Sequence, residues 1–408
     1  MSPLLVAVLL LVAAYLAGAI PFGYLVGRAR GVNLFTAGSG NIGATNAARV
    51  LGTPYGVLVF TLDFLKGALP VAAVAPLARS LAPGAEVTLG PPDVLRVGAA
   101  ALAFLGHLFP VYLGFRGGKG VATGAGTVFV LAPGPAALAV LFWVAVLLAS
   151  RTVSLASLAA VAVLVAARLL GTPAPFSPDA LPVTLYLVAG ATLVFLKHHS
   201  NVRRLVAGTE SQSLGDGPRR RAWLGGVHVV ALGLWFGGAA FFNFAAAPAI
   251  FESFKQVVAA GPSDRTAGET IIPADAPEER KAALASALAG SAVGPVFPRY
   301  FGMQAVCGLV ALVTALAWWK CGKVHRVRVI LIALGVLTVA AGWPVSNAVS
   351  ELRLLRFDAD AGVAAAAKAA FAPWHFASLG LSFVTVGLAG AALALAAWLP
   401  AWGGPPRA

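Results

Sequence analysis

The stretch 121–149 reads VATGAGTVFVLAPGPAALAVLFWVAVLLA. It carries no charge, and Pro133-Gly134-Pro135 cuts it. A proline inside a helix removes a hydrogen bond and clashes with the preceding turn, so the stretch predicts two short helices rather than one long one. Apolar spans precede it at about 4–26, 55–77 and 97–113, and further segments follow at about 153–169 and 182–196. With 121–149 split, seven helices lead to Lys197. Parity supports the split. If the N-terminus lies outside, the loops 31–50 and 114–120 are cytoplasmic, and four more helices return the chain to the cytoplasm where Lys197, Arg203, Arg204, Arg219, Arg220 and Arg221 cluster. Three helices would strand that basic run outside, against the positive-inside rule. Short membrane helices are tolerated only where neighbours or a cavity satisfy their ends, so this region is expected to surround a polar pocket.

Composition agrees with a membrane protein. Of 408 residues, 59% are hydrophobic and 11% are Asp, Glu, Lys or Arg, against roughly 25% charged in a soluble domain. Mean hydropathy is +0.86. These values exclude an ordinary soluble domain and a disordered chain. The net charge of +14 sits in short clusters between apolar runs, which is the positive-inside pattern rather than a nucleic-acid surface. Residues 3–20 end in Ala17-Gly18-Ala19, which mimics a processing site. A signal peptide opens with positive charge, and here the first charge is Arg28, so a retained first span is expected. Cys307 and Cys321 make no disulfide framework, and no His or Cys cluster has zinc-ligand spacing; neither metal nor cofactor is expected.

Residues 206–222, VAGTESQSLGDGPRRRA, read as a Gly, Ser and charge-rich boundary. The expected division is a first domain at 1–212, a linker at 213–222 and a membrane domain at 223–408. The fold class is therefore an all-α polytopic membrane protein, a seven-helix bundle followed by four helices at about 224–244, 301–319, 328–347 and 374–399. The polar loop 251–298, with Asp264, Glu269, Asp275, Glu278 and Glu279, is expected outside the cytoplasm.

Chemistry concentrates in the first domain. Gly38-Ser39-Gly40-Asn41-Ile42-Gly43-Ala44-Thr45-Asn46, then Arg49, is either an inert membrane turn or a loop of close-approach glycines, neutral donors and a guanidinium fork for phosphate. Phe115-Arg116-Gly117-Gly118-Lys119-Gly120-Val121-Ala122-Thr123 lacks Walker spacing but combines glycine N–H groups, a lysine and a helix start, all of which suit an anion. Asp63 and Lys66 share a helical face within an apolar span, where each charge costs about 2.5–3.5 kcal/mol on insertion scales; they are expected to pair or to face the pocket. His107 stands alone at an apolar helix end. Ser154 and Ser157 share a face, and Lys197-His198-His199-Ser200-Asn201 runs on to Gly208-Thr209-Glu210. In the second half, His228 and His375 read either as separate hydrogen-bonded residues or as ligands of a haem or copper.

GSGNIGATN with its Arg, LDFLKG, GHLFPVYLGFRGGKGVAT, SLASL and the HxxN…RLxxGTE tail occur in one order. Together they resemble the PlsY-type glycerol-3-phosphate acyltransferase family over about residues 1–212. The resemblance implies a seven-helix bacterial inner-membrane enzyme with cytoplasmic motif loops. It implies acyl transfer from acyl phosphate to the sn-1 hydroxyl of glycerol 3-phosphate, giving lysophosphatidic acid without a metal. Carried over by position, Gly117, Gly118, Lys119 and Gly120 form a phosphate loop with Thr123 beside it. Ser39, Asn41, Asn46 and Arg49 line the site, and Ser154, Ser157, His198 and Asn201 close it. The expected catalytic set is Ser39, Arg49, Lys119, His198 and Asn201. Acyl phosphate is an activated donor, so its leaving phosphate can take the hydroxyl proton; His198 or His107 as general base is the competing mechanism. His199 stands where the family commonly has Arg, which puts one charge contact in doubt. A transporter or lipid translocator is the alternative reading of the whole chain. The second half reads as an accessory domain or as a dock beside an acyl-phosphate-making partner enzyme.

Overall fold

The computed structural model describes residues 2–82, 94–172, 174–213, 217–259, 277–358 and 360–399. Every regular element among them is helical. The chain divides into two compact units, Met1–Asp216 and Gly217–Ala408, and each is described by itself.

The first unit opens with α1 (Pro3–Ala19) and α2 (Phe22–Ala29), separated at Ile20-Pro21. The short α3 (Ala44–Leu51) leads into α4 (Thr53–Leu81) and α5 (Val94–Leu108). The charge-free stretch forms α6 (Val121–Leu131) and α7 (Pro133–Ser150), and the break falls at Ala132, whose φ −147° and ψ 68° leave the helical region. Only one of the two is short. The 18 residues of α7 reach about 27 Å at 1.5 Å per residue, whereas the 11 of α6 reach about 16 Å, half a bilayer core. The inner end of α6 is therefore covered by protein. Val128 and Ala132 pack with Ala136, Ala160, Leu164 and Leu187 in one buried cluster. Small residues let α6 lie directly on α4: a methyl on Gly126 would sit 2.1 Å from the Phe64 carbonyl oxygen, and one on Gly67 2.2 Å from that of Thr123. Next come α8 (Val153–Gly171), α9 (Leu181–Lys197) and α10 (His199–Val206), the last two meeting at a 59° bend.

The second unit contains α11 (Pro218–Phe241), a π-helical turn at Phe242–Ala246, α12 (Ala247–Ala259), α13 (Glu278–Val293), α14 (Phe297–Leu316), α15 (Lys323–Leu355) and α16 (Ala361–Leu395). The last two outrun the spans expected at 328–347 and 374–399, because Pro344 and Pro373 lie inside continuous helices. Part of the polar 251–298 segment is also helical, in α12 and α13; Asp264, Glu269 and Asp275 lie outside the described residues. Glu278 and Glu279 occupy the first turn of α13, the favourable end of the helix dipole for carboxylates.

Side-chain pairs set the direction of these helices. His228 bonds the Thr314 hydroxyl at 2.8 Å, and Asn243 donates to Tyr300 at 2.9 Å, so α11 and α14 are antiparallel. The Trp235 ring packs against Gly308 and Gly335, and Thr338 bonds Thr385 at 2.7 Å between α15 and α16. Phe236 packs beside Gly390. His228 lies eight residues before Phe236 and His375 fifteen before Gly390 on an antiparallel helix, so the two histidines are about 35 Å apart along the bundle at 1.5 Å per residue. They cannot share a haem or copper ion. His228 is hydrogen-bonded between helices, and His375 stacks on Phe371 at 5.3 Å.

Nine helical stretches among the described residues are long and apolar enough to cross a membrane, ten if α9 and α10 form one bent span. The protein is a multi-pass integral membrane protein.

Candidate active site

Asn46 organises the first loop. It is 1% exposed, its Oδ1 accepts from the Ser39 N–H at 2.8 Å, and its Nδ2 donates to the carbonyls of Leu34 at 3.2 Å and Ala37 at 2.9 Å. Asn41 closes a second turn by accepting from the Gly43 N–H at 2.8 Å. These bonds hold Ser39 and Asn41 against a cavity of about 940 Å³. Arg49, one turn beyond Asn46 on α3, lines the same cavity and donates to the Ser211 hydroxyl at 2.9 Å.

The glycine loop folds back on α5. The Gly118 N–H donates to the His107 carbonyl at 3.2 Å. A methyl on Gly118 would sit 2.2 Å from His107 Nε2, and one on Gly117 2.1 Å from the His107 carbonyl oxygen. Gly120 has φ +84°, and a methyl there would also meet the Phe104 ring at 2.4 Å. Of this motif Lys119 and Gly120 line the cavity, while Gly117 and Gly118 lie behind it. Their side-chain-free backbones are needed for packing on α5, and the Gly118 N–H is already engaged. Thr123 is also set back: it is fully buried against Gly67 of α4 rather than in the cavity wall.

The third wall comes from the start of α8 and the α9–α10 bend. Ser154 donates to Glu210 Oε1 at 2.8 Å, Asn201 Nδ2 donates to the same oxygen at 2.6 Å, and Arg204 Nε donates to Oε2 at 2.6 Å. Lys119 Nζ donates to Asn201 Oδ1. Glu210 therefore ties the glycine-loop lysine to α8 and α10 through Asn201. Ser157 accepts from the Trp143 indole at 3.2 Å. His198 is buried, and its Nδ1 donates to the Val194 carbonyl at 2.8 Å, which leaves the lone pair on Nε2. His199 is exposed and bonds the Leu196 carbonyl at 3.1 Å, outside the cavity wall.

Two residues absent from the expected set, Arg204 and Glu210, thus belong to the wall. Their signal was the GTE tail, which sequence alone could not connect to Ser154. Asp63 and Lys66 pair at 2.8 Å, and Lys66 also donates to the Ile20 carbonyl at 2.7 Å. Asp63 and His107 face the cavity, with His107 Nδ1 3.7 Å from the carboxylate.

Charge at this end favours an anion. Arg49, Lys119 and Arg204 share one carboxylate, Glu210, and the Asp63 carboxylate is matched by Lys66, which leaves two positive charges unmatched. Burial, with Arg204 and Arg49 close by, holds the Lys119 ammonium below the usual lysine range, and Glu210 offsets only part of this. Burial would raise the Glu210 carboxyl, but hydrogen bonds from Arg204, Asn201 and Ser154 outweigh it and hold the group below the usual carboxylate range. The other end of the cavity is apolar, lined by Val128, Ala136, Val140, Ala160, Leu164 and Leu187. One space thus joins a cationic head to an oily groove, as an amphiphile with an anionic end requires.

Known proteins resemble the two halves separately. A sequence model of the family described as glycerol-3-phosphate acyltransferase matches residues 8–208, and one described as a domain of unknown function, DUF4149, matches residues 280–349. The glycerol-3-phosphate acyltransferase of Anaeromyxobacter sp. (strain K) is 45% identical over 213 residues, 52% of this chain and 100% of the relative. That of Aquifex aeolicus (strain VF5) is 39% identical over 204 residues, 50% of this chain and 97% of the relative. A crystal structure of PlsY, an integral membrane glycerol 3-phosphate acyltransferase, in its glycerol 3-phosphate form is 37% identical, with a TM-score of 0.44 over 51% of this chain and 96% of that one.

Proposed function

The chain belongs to the glycerol-3-phosphate acyltransferase family and acylates glycerol 3-phosphate to lysophosphatidic acid; from that premise we propose acyl phosphate as the donor, the sn-1 hydroxyl as the acceptor, and the cavity of the first unit as the place of reaction. The observation that carries the reading is the single cavity with three cations at one end and an apolar groove at the other. A phosphomonoester carries about −1.5 to −2 at neutral pH, which matches the two unmatched positive charges. Arg49 offers a fork for phosphate oxygens and Lys119 a point charge. The start of α6, directly behind Lys119, adds its helix dipole. The apolar groove takes the acyl chain. Ser39, Asn41, Ser154 and Ser157 supply neutral polar groups along the wall, Asn46 shapes the first loop, and Gly117, Gly118 and Thr123 support Lys119 from behind.

The acceptor hydroxyl attacks the acyl carbonyl. A carbon–oxygen bond forms to glycerol 3-phosphate, the bond from the acyl carbon to the phosphate oxygen breaks, and inorganic phosphate leaves. The hydroxyl proton passes to the departing phosphate. Held cations stabilise the charge that develops on the carbonyl and phosphate oxygens, and the cavity fixes both reactants. The free Nε2 of His198 supports a second route, with that nitrogen as general base; a retained rate and pH profile in His198→Gln would favour transfer to phosphate, and a large loss of rate together with the pH step would favour the histidine.

Arg28, Arg30, Arg49, Arg116, Lys119, Lys197, Arg203 and Arg204 belong to the motif end of the unit, which supports a cytoplasmic site in the bacterial inner membrane. The acyltransferase reading assigns catalysis to residues 1–212 and leaves 223–408 outside the chemistry, beside a partner enzyme that makes acyl phosphate. The matches reported above lend no support to a transporter. The test is an assay of purified full-length chain and residues 1–216 with glycerol 3-phosphate and either acyl phosphate or acyl-CoA. Product from acyl phosphate alone is expected; equal rates with acyl-CoA would refute the donor.

A further inference from the structure

In the second unit two neighbouring arginines, Arg353 and Arg356, have no acidic partner among the described residues. Arg353 and Arg356 lie three apart at the C-terminal end of α15, and so on one helical face. The Arg356 guanidinium carbon is 3.9 Å from the Phe371 ring centroid; that of Arg353 is 5.8 Å from the same centroid and 5.9 Å from that of Phe251. His375 stacks on the Phe371 ring at 5.3 Å. Arg353 is 5% exposed. Nη1 of Arg353 and Nε and Nη2 of Arg356 are buried without a hydrogen-bond partner. Among the described residues neither arginine forms an ion pair. The nearest acids along the chain are occupied or turned away: Asp360 caps α16 by accepting from the Gly362 and Val363 N–H groups, Asp358 accepts from the Asp360 N–H, and Glu351 is exposed. On one side α13 closes the site, since a methyl on Gly290 would lie 2.1 Å from Arg353 Cδ. Arg356 is only half-buried, so the site stays open on another.

A buried guanidinium and a half-buried one over the same ring, with nitrogens of both lacking a partner, are costly unless an anion compensates them. Their position indicates which anion. From the buried Arg328 to Arg353 is 25 residues of continuous helix, about 37 Å at 1.5 Å per residue, longer than the roughly 30 Å hydrocarbon core and shorter than the 40–45 Å that includes the headgroups. Arg353 and Arg356 therefore stand at headgroup level. Leu354, Phe357, Trp374 and Phe376 are exposed around them, as apolar surface for acyl chains.

We propose that Arg353 and Arg356, stacked on Phe371, form a phosphate-binding site that takes the headgroup of an anionic phospholipid at one face of the second unit. The two forks grip phosphate oxygens from the unit's edge while the lipid tails lie against the exposed aromatic side chains. This site is separate in residues and in chemistry from the acyl-transfer cavity.

Native mass spectrometry of the detergent-purified full chain, titrated with phosphatidylglycerol, phosphatidylcholine or inorganic phosphate, tests it. Wild type is expected to hold one phosphatidylglycerol at least about tenfold more tightly than R353Q/R356Q, which is about 1.4 kcal/mol, and more tightly than it holds phosphatidylcholine. F371L, which removes the stacking platform without deleting a charge, is expected to weaken phosphatidylglycerol several-fold and decides the matter if the double variant aggregates. Competition by inorganic phosphate would support a site that reads phosphate alone; no competition would support one that needs the lipid. Unchanged acyltransferase activity in both variants controls for the first unit. Phosphatidylglycerol binding within twofold of wild type in F371L and in any soluble double variant would overturn the proposal.

Discussion

Glu210→Gln removes a charge from the centre of the acyl-transfer wall at almost no cost in volume. The carboxylate accepts three hydrogen bonds, from Ser154 at 2.8 Å and from Asn201 and Arg204 at 2.6 Å each. The Arg204 side chain is 43% exposed, so its pair is discounted to under about 1 kcal/mol. Ser154 and Asn201 are each 6% exposed, and bonds from buried donors to a charged acceptor are worth roughly 1.5–3 kcal/mol each. These terms are not additive, and an amide keeps one accepting oxygen while turning an NH₂ toward the donors. A net loss of about 2–4 kcal/mol in positioning Asn201, and through it Lys119, follows. In kcat/KM that is roughly 30- to 700-fold, at 1.4 kcal/mol per factor of ten. The assay is steady-state acyl transfer by full-length protein, with gel filtration to confirm a monodisperse chain. The pH dependence supplies a second readout. Because the folded-state pKa lies below that of the unfolded chain, the carboxylate contributes stability above the ordinary carboxylate pKa, and that contribution is lost as pH falls through the depressed folded value. Glu210→Gln should therefore flatten the acid limb of the stability curve. Activity within threefold of wild type, with an unchanged acid limb, would refute the role of Glu210 as the tie between the loops.

Three further outcomes are expected. Lys119→Ala removes a charge-assisted contact worth roughly 1.5–3 kcal/mol and should raise KM for glycerol 3-phosphate about tenfold or more, as read by initial rates at varied acceptor. Gly118→Ala and Gly120→Ala press a methyl into His107 and Phe104; overpacking of this kind costs about 1–3 kcal/mol, so thermal unfolding should move down together with activity, whereas a lost phosphate contact alone would leave the unfolding midpoint in place. Residues 1–216 expressed alone should retain activity within about tenfold at matched membrane abundance; a loss beyond about 1000-fold, roughly 4 kcal/mol of transition-state stabilisation, would place groups of the second half in the catalytic site.

What sequence by itself determined was everything governed by local hydropathy, charge and backbone chemistry. The spans follow from runs of apolar residues long enough for a bilayer, and the α6–α7 break from the proline that cannot continue a helix, displaced by one residue to Ala132. Lys119, Arg49, Ser39 and His198 were legible as cavity residues because their motifs pair flexible backbone with charge or hydrogen-bonding groups in otherwise apolar surroundings. Tertiary structure alone decided the rest, because it depends on which helices become neighbours. Gly117 and Gly118 read as phosphate contacts, yet they lie against His107 of α5, and the reason for glycine there is the bulk of that neighbour. Glu210 pairs with Ser154 across 56 residues of chain, a contact that no local spacing encodes. The same holds for His228 and His375, set far apart by antiparallel packing, and for Arg353 and Arg356, which meet Phe371 only because α15 and α16 pack together.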